Sequence, residues 1–248
     1  MFKLGLIGHP LTHSFSKKYF DSKFSKEKVS NFSYELFDLK SIENFDHIIN
    51  KHKLSGVNIT SPYKKKIIDQ LDDLDQISQI TKSVNTIFID KKSNNKFGFN
   101  TDYAGFNKLL LSCNLKKHKH ALILGSGGVS NTIKYALENK NISNYIISRN
   151  PEINQFSYND LENILTKHTL IINTTPIGQH PNINNSPNLP YHLISKNHFC
   201  IDLIYNPRNT LFLEQIRARG AKGISGYKML IKQAEDSWDI WNNFNKYK

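Results

Sequence analysis

Apolar residues in this chain gather in short runs, and each run gives way to a polar turn and a stretch of mixed, helix-like spacing. Residues 2–7 predict a strand that stops at Gly8-His9-Pro10. Residues 32–39 and 56–59 predict two more, with a helix over 41–53 between them. Pro62 fits the first turn of a further helix, where its missing N–H costs nothing, and this would put Lys64 one turn in. Residues 84–90 form a β-rich run followed by the polar turn 91–96, and residues 103–111 read as a helix leading to a basic connector. A second series then begins: strand 121–124, a glycine-rich loop, helix to Asn139, strand 145–148, helix 158–167, strand 170–173, strand 201–203 and helix 210–219. Residues 181–190, rich in Asn and Pro, read as an exposed loop. Strands alternating with helices predict an α/β protein built on mostly parallel sheets.

Composition narrows the class. The chain has 248 residues, 38% of them hydrophobic, enough to bury a core in one large domain or two smaller ones. No apolar run approaches the ~20 residues of a membrane span, and the first apolar stretch is too short for a signal peptide. Cys113 and Cys200 stand far apart and make no disulfide framework, which points to a cytoplasmic protein. The net charge of +12 raises the question of an anionic partner. The lysines, however, are scattered among asparagines and isoleucines, the pattern an AT-rich coding sequence produces. The densest runs, Lys64-Lys65-Lys66 and Lys116-Lys117-His118-Lys119-His120, contain no aromatic residue on which a base would stack. Nucleic acid and membrane are therefore not expected partners. His9/His13 and His118/His120 have no carboxylate or Cys at ligand spacing, so no metal site is expected.

Candidate chemistry sits where runs end. Gly125-Ser126-Gly127-Gly128 follows a strand and opens a helix, the setting in which backbone N–H groups meet a pyrophosphate. The following strand ends in Ser148-Arg149-Asn150 with no acidic residue for a ribose 2′-hydroxyl, so Arg149 points to NADP; its plain alternative is a solvated arginine. In the first half, Ser14 and Ser16 share a direction if extended, as do Asn58 and Thr60, and Asn85 is an amide inside an apolar run. With Lys64, Asn100 and Asp102 these groups would line one pocket beyond the strand ends. Each also has a local reading: Ser14 and Asp102 as helix caps, Thr60 as a turn residue, Lys64 as a solvated lysine.

In order, the chain runs through Gly8-His9-Pro10-Leu11-Thr12-His13-Ser14-Phe15-Ser16, Gly56-Val57-Asn58-Ile59-Thr60-Ser61-Pro62-Tyr63-Lys64, Val84-Asn85-Thr86 and Gly98-Phe99-Asn100-Thr101-Asp102. The Gly125 loop, Ser148-Arg149-Asn150, Asn173-Thr174-Thr175-Pro176, Asp202-Leu203-Ile204-Tyr205-Asn206-Pro207 and Gly226-Tyr227-Lys228-Met229-Leu230-Ile231-Lys232-Gln233-Ala234 follow. In this set and order, over nearly the whole chain, the sequence resembles the shikimate dehydrogenase family. The resemblance implies reversible NADPH-dependent reduction of 3-dehydroshikimate to shikimate, a step toward chorismate and the aromatic amino acids. It implies an α/β substrate-binding and catalytic domain (1–101 plus 231–248) with a mostly parallel sheet. It also implies a Rossmann-type NADP-binding domain (102–230) and a C-terminal helix returning to the first domain. Lys64 and Asp102 would be the catalytic pair. Ser14 and Ser16 would bind the substrate carboxylate; Thr60, Asn85, Asp102 and Gln233 would hold the ring hydroxyls, with Tyr205 near the substrate. Gly125, Ser126, Gly127, Gly128, Val129, Ser148, Arg149, Asn150, Leu203 and Gly226 would line NADP(H). The implied partner is a small molecule, and the implied assembly a monomer or homodimer.

Those residue types suit the chemistry. Hydride arriving at a ketone carbon leaves charge developing on oxygen, which a Lys beside a carboxylate can meet with both charge and proton. The chain departs from the family pattern in four places. Thr132 replaces a small Ala, which predicts looser helix–strand packing; Ser-Arg-Asn replaces Asn-Arg-Thr; Gln179 replaces Met; and Pro151-Glu152-Ile153 stands where a second basic residue is common. Two rival readings remain: an NAD-using quinate/shikimate enzyme, opposed by Arg149 and the Ser14/Ser16 pair, and a non-catalytic relative, opposed by the intact Lys64, Asp102 and glycine loop.

Overall fold

The computed structural model describes residues 2–11 and 14–244; Thr12 and His13 of the first motif, and the last four residues of the segment 231–248, lie outside the described residues. The chain divides into two compact units, one of Met1–Thr101 with Gln233–Lys248, the other of Asp102–Lys232.

The first unit contains β1 (Phe2–Gly8), α1 (Phe15–Lys26), β2 (Phe32–Asp38), α2 (Phe45–His52), β3 (Leu54–Ile59), β4 (Asp73–Leu74), α3 (Gln76–Thr81), β5 (Thr86–Ile89) and β6 (Lys96–Phe99). Its sheet has the order β2-β1-β3-β5-β6-β4. β1, β2 and β3 are parallel, β5 runs antiparallel to both β3 and β6, and β4 lies parallel to β6. Because β5 is reversed, the exits of β1, β3 and β6 and the entrance to β5 all fall on one edge, with Asn58 opposite Thr86 and Thr86 opposite Phe99.

Side chains alternate across this sheet as its period of two requires. Ile7, Phe37, Val57 and Ile59 pack to one side with Phe45 and Ile49 of α2, one helical turn apart. Leu4, Leu6 and Tyr34 pack to the other with Phe20 and Phe24 of α1 and with Ala234, Ile240, Trp241 and Phe244. The last four come from the end of the chain. Trp241 donates its indole N–H to Ile87 O at 2.9 Å, and Phe244 stacks on Phe88 with centroids 3.8 Å apart. Gly56 makes that docking possible, since a β-carbon there would overlap the Trp241 indole.

The second unit contains most of α4 (Thr101–Leu110), then β7 (His120–Leu124), α5 (Gly128–Glu138), β8 (Ser143–Ser148), β9 (Phe156–Ser157), α6 (Leu161–Ile164), β10 (Leu170–Asn173), β11 (Phe199–Asp202), α7 (Leu211–Ala218) and β12 (Lys222–Ser225). α8 (Tyr227–Asn243) starts in this unit and ends in the first. All six strands pair in parallel in the order β12-β11-β10-β7-β8-β9, the doubly wound arrangement of dinucleotide-binding folds. Phe106, Leu109, Ile133, Ala136 and Leu137 of α4 and α5 cover one face; Leu161, Leu165, Phe212, Leu213 and Ile216 cover the other. Thr132 is completely buried on α5.

Two predicted helices are broken. The segment 41–53 becomes a short 3-10 turn, Ile42–Asn44, followed by α2. The segment 158–167 is interrupted because the His168 ring, not a helical N–H, bonds Ile164 O at 2.7 Å, while His168 N turns to Leu165 O. Cys113 and Cys200 are both free thiols. Among the described residues no helix is long and apolar enough to cross a membrane.

Candidate active site

In the first unit the loops after β1 and β3 are stitched together: Thr60 N donates to Ile7 O and His9 N to Ser61 O. Gly8 lies so close to Thr60 that a β-carbon there would overlap its methyl group. Asp38, at the exit of β2, accepts from Leu11 N at 3.0 Å and pairs with the His9 ring at 2.5 Å, so its carboxyl sits below the usual range. Among the described residues no three His, Cys, Asp or Glu side chains gather as metal ligands.

Ser14 occupies the N-cap position of α1 without making a side-chain cap bond. Its hydroxyl is buried and has no hydrogen-bond partner among the described residues. Ser16 lies inside the first turn of α1, so the two serines straddle a helix start rather than sharing an extended segment. The Ser16 side chain hydrogen-bonds the Tyr34 phenol, whose burial pushes its pKa up.

Lys64 is half-buried in a turn, not in a helix. Its carbonyl accepts from Val84 N at 2.8 Å and so cannot enter a helical ladder; the regular segment that comes next is the 3-10 helix Lys66–Gln70. The same bond ties the Lys64 backbone to the residue before Asn85.

Asn85 is 2% exposed at the entrance to β5. Its Oδ1 accepts from Thr101 N at 2.7 Å, which leaves Nδ2 to donate to Thr101 Oγ1 at 2.9 Å and to Gln233 Oε1 at 3.4 Å. Asn85 and Gln233, 148 residues apart in sequence, thus meet on one sheet edge. Asp102 comes directly after Thr101, within the first turn of α4, where a carboxylate is favoured by the helix dipole. It is the first residue of the second unit.

Asn58, expected to line the pocket, is instead buried behind Asn85, with Tyr34, Thr86 and Ser237, which the sequence does not single out. Asn58 Nδ2 donates to Asn85 O, Thr86 Oγ1 and Ser237 Oγ at 3.2, 3.1 and 2.9 Å, and Asn58 Oδ1 accepts from the Tyr34 hydroxyl at 2.7 Å. Thr86 and Ser237 hydroxyls lie 2.7 Å apart. The spacing of Ser237 four residues after Gln233, on the same helical face, is the available signal.

In the second unit the glycine loop joins β7 to α5 at the point where the strand order reverses. Gly125 has φ +104°, and a β-carbon there would come within 3.0 Å of Thr174 Oγ1 and Thr175 Cγ2. A β-carbon at Gly127 would meet nothing within 4 Å, so that side of the loop is open to a ligand. Gly128 begins α5, whose first turn holds no acidic residue and whose N-cap makes no side-chain bond, and Val129 packs against the core. Backbone N–H groups at a helix start on an open glycine loop suit a pyrophosphate. Ser126 Oγ lies 3.4 Å from Ser148 Oγ, which also accepts from Asn150 N at 3.2 Å and closes the turn after β8. Arg149 is exposed at that turn beside Tyr158: burial raises the Tyr158 phenol pKa and the Arg149 charge lowers it. Gly226 N donates to Asp202 O at 2.6 Å, and a β-carbon on Gly226 would come within 2.7 Å of Leu203 O. Tyr205 is half-buried in the same loop as Leu203.

Asp202, completely buried, ties these loops together. Its carboxylate accepts from Asn173 Nδ2 at 3.0 Å, Ile204 N at 3.1 Å and Thr210 Oγ1 at 2.5 Å. Asn173 Oδ1 in turn accepts from Thr175 N and Oγ1, and Thr210 caps α7 through Leu213 N. Burial pushes the Asp202 carboxyl up to about 6 despite the three donors.

The profile of the family described as shikimate dehydrogenase substrate binding domain matches residues 6–87. The chain is 35% identical over 263 residues to the NADP-dependent shikimate dehydrogenase of Methanococcus vannielii, covering 97% of this chain and 91% of that one. It superimposes on the crystal structure of shikimate dehydrogenase 1 from Peptoclostridium difficile with TM-score 0.88 and 33% identity, covering 98% of this chain and 92% of that one. For the Thermus thermophilus shikimate 5-dehydrogenase in complex with NADP(H) and shikimate the TM-score is 0.83 at 26% identity, covering 97% and 93%. With an ordered set of motifs on two α/β units, and this identity across nearly the whole of both chains, the protein belongs to the shikimate dehydrogenase family.

Proposed function

We propose that the chain catalyses the reversible reduction of 3-dehydroshikimate to shikimate with NADPH. One observation on the first unit carries the reading. The Ser14 hydroxyl, buried and without a hydrogen-bond partner among the described residues, the half-buried Lys64 and Asn85 lie in the segments after β1, after β3 and before β5 at one end of a sheet, where Asn85 meets Gln233 of α8, in a chain of this family. A carboxylated polyol needs such a set: hydroxyl donors for its carboxylate and amides for its ring hydroxyls.

The residues of the second unit fit NADP. The Gly125–Val129 loop and the α5 N-terminus would hold the pyrophosphate, Ser148, Arg149 and Asn150 the phosphorylated ribose, and Leu203 and Gly226 the nicotinamide end. A nicotinamide bound there supplies hydride to the ketone carbon. Ser14 and Ser16 grip the substrate carboxylate, and Thr60, Asn85, Asp102 and Gln233 fix the ring hydroxyls so that one carbon is presented, with Tyr205 beside it. Lys64 delivers a proton and positive charge to the developing alkoxide, and Asp102 balances that charge; in the reverse direction the pair takes the proton back.

The test is shikimate oxidation with NADP and NAD in parallel, with quinate as control. The reading expects turnover with shikimate and NADP. Turnover with quinate or NAD at equal efficiency overturns the specificity assigned to the serines and Arg149, and a folded protein inactive with every pair overturns the reaction itself.

A further inference from the structure

We propose that Ser237 is a positioning residue for the ring-hydroxyl subsite, acting through Gln233 and Asn85; the proposal rests on the shikimate reading above. Ser237 is completely buried, so it touches no ligand. Its hydroxyl donates to Gln233 O, one turn earlier on α8, at 2.8 Å. That leaves its lone pairs to accept from Asn58 Nδ2 at 2.9 Å and to meet Thr86 Oγ1 at 2.7 Å.

One oxygen therefore anchors both amides of the subsite. Gln233 is held through its own carbonyl, and Asn85 through its neighbour Thr86 and through Thr101, whose hydroxyl lies 3.3 Å from Thr86 Oγ1 and 3.4 Å from Ser237 Oγ. The apolar contacts of α8 leave its register looser. Trp241, whose indole N–H bonds Ile87 O, and Phe244 fix how deep the helix sits, and Ser237, one turn from Gln233, ties that turn of the helix to Thr86 of β5. The Asn85–Gln233 contact is long, at 3.4 Å, and a small slip of the helix would open it.

The experiment is steady-state kinetics of the full chain as wild type, Ser237→Ala, Thr86→Val and the double variant, with thermal melting of each. The expected result is a shikimate KM raised about five- to tenfold in either single variant, from loss of one buried hydrogen bond. The NADP KM and kcat stay within about twofold, and the double variant is no worse than the poorer single, as members of one network behave. Thr86→Val removes the same bond from the strand side and carries the test alone if Ser237→Ala does not fold. A shikimate KM unchanged in folded variants overturns the proposal while leaving the reaction intact. A parallel rise in both KM values that tracks the loss of melting temperature also overturns it, because that is a purely structural role. Wild-type protein without shikimate turnover overturns the functional reading, and the proposal with it.

Discussion

Replacing Asp202 by asparagine exchanges a titratable acceptor for a neutral isostere at a site with no exposure to water. The asparagine can keep the bonds from Asn173 Nδ2 and Ile204 N on its oxygen and turn its own Nδ2 to Thr210 Oγ1, so the variant should fold. The informative quantity is how its stability relative to wild type varies with pH. Burial raises the Asp202 carboxyl to about 6. A raised pKa means that the native state binds the proton more tightly than the unfolded chain, in which an aspartate titrates near ~3.9. The stabilisation is therefore fully present below the unfolded value and is lost as pH rises through about 6; over the whole range it amounts to about 3 kcal/mol. Between about pH 5 and about pH 8 the wild type should lose about 1.4 kcal/mol that the asparagine variant does not lose. Groups not coupled to Asp202 cancel in the comparison, and Cys200 and Tyr191, whose protons its charge helps to hold, titrate above that range. Urea unfolding of both proteins across that range, monitored by circular dichroism, reads the difference directly. A difference flat with pH would show that the carboxylate is not desolvated and would refute the reasoning.

Three further outcomes are expected. Lys64→Ala should lower kcat by about 10²–10⁴-fold with little change in shikimate KM, as loss of a proton donor does; preserved turnover in stopped-flow assays would remove Lys64 from the chemistry. Arg149→Ala should weaken NADPH by about 1–3 kcal/mol more than NADH, the worth of a charge-assisted hydrogen bond. Equal losses in fluorescence titrations would mean that it does not read the 2′-phosphate. Gly127→Ala meets open space and should leave the melting temperature unchanged while raising the NADP KM, whereas an unchanged KM would take the pyrophosphate away from that loop.

How far each element can be predicted from sequence depends on how local its determinants are. The strands of the second unit are legible because parallel strands covered on both faces read as unbroken apolar runs; residues 170–173 match β10 at both ends. β12, Lys-Gly-Ile-Ser, is not visible because an edge strand carries little apolar signal. The helix placed around Lys64 fails for a non-local reason: the Lys64 carbonyl is claimed by Val84 N, twenty residues on. Asn85 stands out as an amide inside an apolar run and Gln233 is named from a family pattern, but their meeting depends on Thr101, Thr86 and Ser237, whose small hydroxyls look like ordinary surface residues until burial reveals them. Asp202 is likewise only part of a motif, because its role comes from three donors on three different segments.

The passage of α8 from the second unit into the first has a consequence for how the protein is made. The second unit, Asp102–Lys232, is one continuous stretch of chain and can close as soon as it leaves the ribosome. The first unit is begun earlier but cannot finish, because Gln233, Ser237, Trp241 and Phe244 supply part of its core and polar cluster. Until they emerge, Gly56 and Phe88 face water where the helix should lie. Synthesis order and completion order are thus reversed: the unit begun first must wait, with an apolar sheet face uncovered, for a helix translated after the whole of the second unit.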